Sequence, residues 1–202
     1  ARVKRLEETP GYRFEHIDKR NLAQGAEDFL MIYNKAWDNC PGVRPMSKEQ
    51  AQKIMNNLKP IIDEKLIYCA FFNDEPVGFF IMVPDLNRVI GRFHGKLNLI
   101  NQLRLIFMLR FTHKADRIVA IIVGVSPEYR GRGRESAIMH EFELAVGRGE
   151  IKYKTLELAW MGDFNPLMIR MVETYVCAQK NKTHVTHRYL FDRTKEFKRC
   201  PR

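Results

Sequence analysis

Twelve residues in the middle of this chain, Val123-Gly-Val-Ser-Pro-Glu-Tyr-Arg-Gly-Arg-Gly-Arg134, constrain its fold more than any other stretch. They run from an apolar strand through an arginine–glycine turn into a helix. Ile118 to Val125 is a continuous apolar, mostly β-branched run of the kind found in a strand buried at the centre of a sheet. Beyond the turn, Ile138, Met139, Phe142, Ala145 and Val146 recur at helical spacing, so Ser136 to Arg148 reads as an amphipathic helix. The first-turn N–H groups of a helix lack intrahelical partners, and the helix dipole favours an anion there. A strand, a glycine-rich loop and a helix in this order therefore predict an α/β protein with a phosphate-bearing ligand at the loop.

The remaining elements place that unit in a larger sheet. Tyr12 to Asp18 alternates like a half-buried strand, and helices are expected over Leu22–Trp37 and Ser47–Leu58. The second of these opens with Ser47 and carries Gln50 three residues on, the spacing of a capping box. Leu66–Phe72 and Val77–Val83, separated by Asn73-Asp-Glu-Pro76, read as a hairpin. Thr155–Trp160 reads as another strand, followed by a helix from Pro166 to Tyr175, for which Asn165 is a suitable N-cap. Val176 to Asp192 reads as two short strands joined around Asn181. With 202 residues a single domain is the default, and no segment is long and apolar enough to span a bilayer.

Charge narrows the partner without selecting it. Lys and Arg total 34 against 24 Asp and Glu, a formal net charge of +10, which suits a nucleotide-bearing cofactor, nucleic acid or an acidic membrane surface. Cys40, Cys69, Cys177 and Cys200 are scattered without a C-x-x-C pair, so a reducing, cytoplasmic compartment is expected and a disulfide framework or zinc site is not. His184 and His187 would point to opposite faces of a strand, and no metal site is expected from them. Residues 86–115 are longer than a connection needs and hold Arg88, Arg92, Lys96, Arg104, Arg110 and Lys114 with no acid. Leu97 to Phe111 is helical in outline, and is expected to pack over a cleft or against the scaffold rather than on a membrane surface.

The order of elements, with Pro127-Glu-Tyr-Arg-Gly-Arg-Gly133 after the fourth strand, resembles the GNAT superfamily of acyl-CoA-dependent N-acyltransferases. Its signature at this place is [RQ]-x-x-G-x-[GA]; Arg130 and Gly133 match it, while Glu135 stands where the family has Gly or Ala. The resemblance extends from about Tyr12 to Asp192 and is closest to an uncharacterised bacterial branch. Its cues are Ile32-Tyr-Asn-Lys-Ala-Trp37, Pro45-Met46, Pro84-Asp-Leu-Asn87, Glu157-Leu-Ala-Trp160 and Asn165. It implies a mixed, mostly antiparallel central sheet flanked by helices, with a V-shaped splay between the fourth and fifth strands. It also implies an N-terminal extension over 1–11, a GNAT-like domain over 12–192 and a basic tail over 193–202. In that branch the domain commonly ends a longer chain, which suits the absence of an initial Met; a homodimer is left open.

On this resemblance, backbone amides from Gly131, Arg132, Gly133, Arg134, Glu135 and Ser136 cradle the coenzyme A pyrophosphate, with positive charge from Arg130, Arg132 and Arg134. Gly124 and Val125 pair with the pantetheine arm, the Val125 amide polarises the thioester carbonyl, and Asn165 contacts the pantetheine region. The family's general acid, a Tyr seven residues after this Asn, is replaced by Val172, with Tyr175 three residues later; Arg117 to Val125 contains no carboxylate to act as base. Asp85, Asn87, His94, Glu157 and Asp163 are the polar residues that could stand near an acceptor amine, and Glu157 is the one chosen. The expected function is transfer of an acetyl group from acetyl-CoA, or another acyl-CoA, to a primary amine of a small molecule or peptide. The alternative is a non-catalytic module of the same fold that binds CoA, a phosphate ligand or a partner domain. No stacked-aromatic or recognition-helix pattern supports nucleic acid as a partner.

Overall fold

A computed structural model describes residues 11–38, 43–96, 98–111, 116–130, 134–187 and 189–198. The chain divides into two compact units, residues 1–160 and 161–202.

The first unit is built on a five-stranded sheet in the order β1-β2-β3-β4-β5. The strands are β1 (Tyr12–His16), β2 (Ile67–Phe72), β3 (Glu75–Pro84), β4 (Arg117–Val125) and β5 (Thr155–Leu158). All neighbours are antiparallel except β4 and β5, which are parallel. β2 and β3 meet through Asn73 and Asp74, both left-handed at φ 49° and 65°. Two consecutive positive φ values are what a two-residue type I′ hairpin loop requires, and Asn and Asp tolerate them best after Gly. The hairpin is thus tighter than the four-residue link read from Pro76.

Helices cover both faces. α1 (Leu22–Trp37) and α2 (Lys48–Leu58) lie on one. Leu22, Ala26, Phe29, Ile32 and Ala36 recur every three or four residues along α1 and are buried, the first four in one cluster with Ile67, Phe79 and Ile81 of the sheet and Ala51 and Met55 of α2. Ser47 closes the expected capping box, accepting from the Gln50 amide while the Gln50 side chain accepts from the Ser47 amide. Asn34 bonds the Met46 amide and carbonyl at 2.8 and 3.1 Å, which fastens the α1–α2 connection back onto α1. After β3 come the short α3 (Asn87–Ile90) and α4 (Leu99–Phe111); α5 (Arg134–Gly147) joins β4 to β5. α5 buries Ala137, Ile138, Met139, Phe142 and Ala145. Phe142 meets Tyr68 and Phe80 edge-on at 6.2 and 6.1 Å, on the sheet face opposite α1.

α4 departs from its expected packing. Leu105 is buried, yet Leu99, Ile100, Leu103 and Phe107 are 72%, 62%, 61% and 57% exposed. Apolar content alone does not tell an inward residue from an outward one when a helix is apolar all round.

The second unit contains α6 (Pro166–Tyr175), capped by Asn165, whose side chain accepts from the Met168 amide at 3.1 Å. The two strands read over Val176–Asp192 do not form among the described residues. Cys177 turns left-handed at φ 51°, and the Ala178 amide donates to the Val172 carbonyl at 3.1 Å. That bond is a helix-terminating cap, and it interrupts extended backbone at the point where the first strand was expected to start.

Candidate functional site

β4 is nine residues long, but β5 pairs with only its first four, from Arg117↔Thr155 to Ala120↔Leu158. One further bond, from the Ala159 amide to the Ala120 carbonyl at 3.0 Å, ends the contact. Ile121 to Val125, about 17 Å of strand at 3.3 Å per residue, therefore has β3 on one side and, among the described residues, no paired strand on the other, which leaves a gap. This is the V-shaped splay expected between the fourth and fifth strands. It explains why Ile121 is exposed within a run that reads as a fully buried strand.

The parting begins where β4 is bulged. Ala120 faces Met82 and Ile122 faces Ile81, so Ile121 is an extra residue on β4. A bulge bends its strand and adds twist, which carries β4 away from a neighbour that does not share it. It also re-aims the main chain. Before the bulge, the Asp85 amide bonds the Arg117 carbonyl and the Ala159 amide bonds that of Ala120, so odd residues face β3 and even ones face β5. After it, the Ser126 amide bonds the Val77 carbonyl at 2.9 Å, and alternation turns Ile122 and Gly124 toward β3. The main chains of Val123 and Val125 consequently face the gap. Counting by twos from Ala120 would have placed Ile122 and Gly124 there.

Gly124 serves the opposite face. A Cβ on it would lie 2.8 Å from the Phe79 ring and 2.9 Å from the Trp37 indole. Trp37 stacks on Phe79 and Tyr33 at centroid distances of 6.2 and 5.0 Å. Beside this stack lies a recess lined by Tyr33, Asn34, Trp37, Asp38, Val43, Arg44 and Pro45.

The exit from β4 is fixed by main-chain bonds. Ser126 is fully buried, a 3-10 turn covers Pro127–Tyr129, and the Tyr129 ring packs on Phe72 at 5.6 Å. Arg130 donates from Nε to the Val125 carbonyl at 3.0 Å and from a terminal nitrogen to the Ala36 carbonyl in the last turn of α1. The guanidinium therefore clamps the end of β4 to the negative end of a helix dipole. Sequence reasoning assigned it to phosphate alone. Gly131, Arg132 and Gly133 lie outside the described residues, as do the side chains of Arg134, Glu135 and Ser136. α5 begins at Arg134, so a helix N-terminus does follow the turn.

Glu157 stands across from Val119 at the closed end of the V and bonds Arg117 at 2.7 Å. Asp85 is buried and caps the Asn87 amide at 3.0 Å, a structural task at the end of β3. His94 is exposed and left-handed at φ 51°. Asn165 and Asp163 belong to the second unit, where Val172 is buried.

No family model matches the chain. Two curated relatives do: the bacterial ceramide synthase of Caulobacter vibrioides, 24% identical over 169 residues, and protein YghO of Escherichia coli, 23% identical over 159. The matches cover 81% and 78% of this chain but only 43% and 40% of those proteins, so the chain spans less than half the length of either. Among solved structures, an aminoglycoside acetyltransferase from an uncultured soil metagenomic sample, in complex with sisomicin, superposes with a TM-score of 0.56 at 6% identity. That match covers 89% of this chain and 97% of the other. The aminoglycoside N-acetyltransferase AAC(6′)-Iy in complex with CoA gives 0.53 at 11% identity over 88% of this chain and 94% of that one. A GNAT family acetyltransferase of Staphylococcus aureus gives 0.51 at 10% identity, covering 89% and 99%. A mostly antiparallel sheet whose fourth and fifth strands part, together with these neighbours, gives the chain the fold of the GNAT N-acetyltransferases.

Proposed function

We propose that the chain is an acyl-CoA-dependent N-acyltransferase that lays the pantetheine arm in the gap beside Ile121–Val125. The observation that carries this reading is the bulge at Ile121, which turns the Val123 and Val125 main chains toward an edge that β5 has left. Pantetheine carries two amides, and a strand edge without a neighbouring strand is the complementary surface for an extended amide chain; the Val125 carbonyl already accepts from Arg130, which leaves its amide for the ligand. When bound, acetyl-CoA or another acyl-CoA supplies an activated acyl group. The outward amides at Val123 and Val125 are fixed donors, of the kind that stabilises developing charge on a carbonyl oxygen. The loop over 130–136 and the N-terminus of α5 take the pyrophosphate.

The acceptor is an amine. The recess beside Trp37 combines the aromatic and apolar Tyr33, Trp37, Val43 and Pro45 with the charged Asp38 and Arg44. Orientation of a neutral amine against a thioester supplies most of the rate. Glu157 pairs with Arg117 and lies about 13 Å along the strand from Val123, so it takes the amine's proton only through a chain of several waters. Glu157→Gln is expected to lower kcat while CoA affinity stays unchanged. The Caulobacter relative adds one class to the acceptor panel, because a ceramide is the N-acyl product of a long-chain amino alcohol.

Calorimetric titration of the folded protein with CoA and acetyl-CoA tests the reading, followed by turnover with a panel of amines. No binding at millimolar cofactor would sink it. A second reading, a cofactor-binding module without activity, is favoured by the absence of a carboxylate from Arg117–Val125. Binding with no turnover across acetyl-, longer acyl-CoA and the full panel would establish that module instead.

A further inference from the structure

The outer face of α4 is an exposed apolar feature that the acyltransfer reading leaves unused. Leu99, Leu103 and Phe107 fall four residues apart and Ile100 lies beside them, so at 100° per residue the four share an arc of about 100°. All four are exposed, and the buried Leu105 lies on the opposite side of the helix. The helix is therefore apolar on two faces, one buried and the other exposed.

The formal charge along this stretch of chain is of one sign. Between Asp85 and Asp116 the chain has six Lys and Arg residues, Arg88, Arg92, Lys96, Arg104, Arg110 and Lys114, and no Asp or Glu. Arg92, Lys96 and Arg104 are exposed, Arg104 on the flank of the apolar arc and the other two in the approach to the helix. Aliphatic side chains in the middle with cations at the margin suit a surface that has hydrocarbon below and anions above, which is the headgroup region of an anionic bilayer. A second copy would bring the same cations face to face. Nucleic acid would meet the cations but offer nothing to the leucines.

We propose that α4 seats the protein on an anionic lipid surface, with Leu99, Ile100, Leu103 and Phe107 entering the acyl boundary and Arg92, Lys96 and Arg104 at the headgroups. The sequence taken alone favoured packing for this helix, and the exposure reverses that order. Seated this way, the enzyme has access to an amine carried by a lipid; that consequence rests on the acyltransferase reading, whereas the docking does not.

Flotation of the protein with vesicles of phosphatidylglycerol and phosphatidylcholine, against phosphatidylcholine alone, tests the docking without reference to activity. Binding is expected to the mixed vesicles at roughly 0.1 M salt and to weaken as salt shortens the screening length. Leu103→Glu should lower the partition coefficient at least tenfold. Arg92→Gln, Lys96→Gln and Arg104→Gln should each lower it about fivefold, following the energy per basic residue near such a surface. Thermal unfolding of each variant shows that it remains folded, and Leu103→Ala provides a milder change at the same site. No flotation by the folded protein, or flotation that Leu103→Glu leaves unchanged, overturns the proposal. A dimer in sedimentation equilibrium that Leu103→Glu dissociates, with no vesicle binding, overturns it in favour of a second copy of the chain.

Discussion

Gly124 sits in a strand, where a residue without a side chain ordinarily weakens the sheet. Its reason is the space occupied by Phe79 and Trp37, whose rings come within 2.8–2.9 Å of where a Cβ would be. Gly124→Ala is therefore expected to cost about 1–3 kcal/mol as the rings are pushed from a packed core, read by chemical denaturation together with a shift in Trp37 emission. Tyr68 presents the reverse case, a polar atom the fold buries: its hydroxyl has no hydrogen-bond partner among the described residues. Burial, with smaller contributions from Glu150 and Glu141, pushes this phenol up to about 12. The folded state thus holds the proton more firmly than the unfolded chain, where a tyrosine titrates near 10. This group's contribution to stability is complete below about pH 10 and is lost as the pH rises from there through about 12. Tyr68→Phe should raise stability by about 1 kcal/mol at neutral pH and make the alkaline loss shallower, which denaturation at pH 7 and pH 11 compares.

The elements were largely readable because their signals are local. Leu22–Trp37 and Pro166–Tyr175 form over the residues expected, since apolar spacing, Asn caps and Pro166 at the first helical position act within a turn of the chain. The capping box at Ser47 and the strand at Arg117–Val125 are of the same kind. What sequence did not yield depends on partners. The bulge at Ile121 is a mismatch between two strands and leaves no mark in either; the resemblance names Gly124 and Val125 for the pantetheine arm, and the register turns Val125, with Val123, to the gap and Gly124 to β3. Arg130 was read from a phosphate-loop pattern, and its bonds to Val125 and Ala36 require knowing that α1 ends beside β4. Arg130→Lys should show this clamp: one ammonium cannot reproduce a fork that reaches two carbonyls. We expect a loss of about 1–2 kcal/mol in stability and weaker CoA binding by calorimetry, although the charge is retained.

For the whole molecule, the sheet and its helices were legible and the end of the chain was not. Alternation over Val176–Asp192 suggested strands, but a strand exists only with a hydrogen-bonded neighbour, and Cys177 closes α6 with a left-handed turn instead. Net charge, in contrast, needs no structure to act. At +10 the chain attracts a multiply charged anion before any contact forms. Association of CoA measured by stopped flow is expected to slow several-fold between low and physiological salt, with dissociation changing less.

The extra residue in β4 also has a temporal signature. Main-chain amides of a central strand normally all exchange slowly with solvent, because neighbours hold every one. Here Ile122 and Gly124 are held by β3, whereas Val123 and Val125 face the gap, so deuterium should enter this strand at every second amide beyond Ile121. Before Ile121, with a neighbour on each side, it should enter at none. Saturation with coenzyme A should erase the alternation by slowing Val123 and Val125 alone, so the free protein would carry, in its exchange rates, an imprint of the chain it is shaped to pair with.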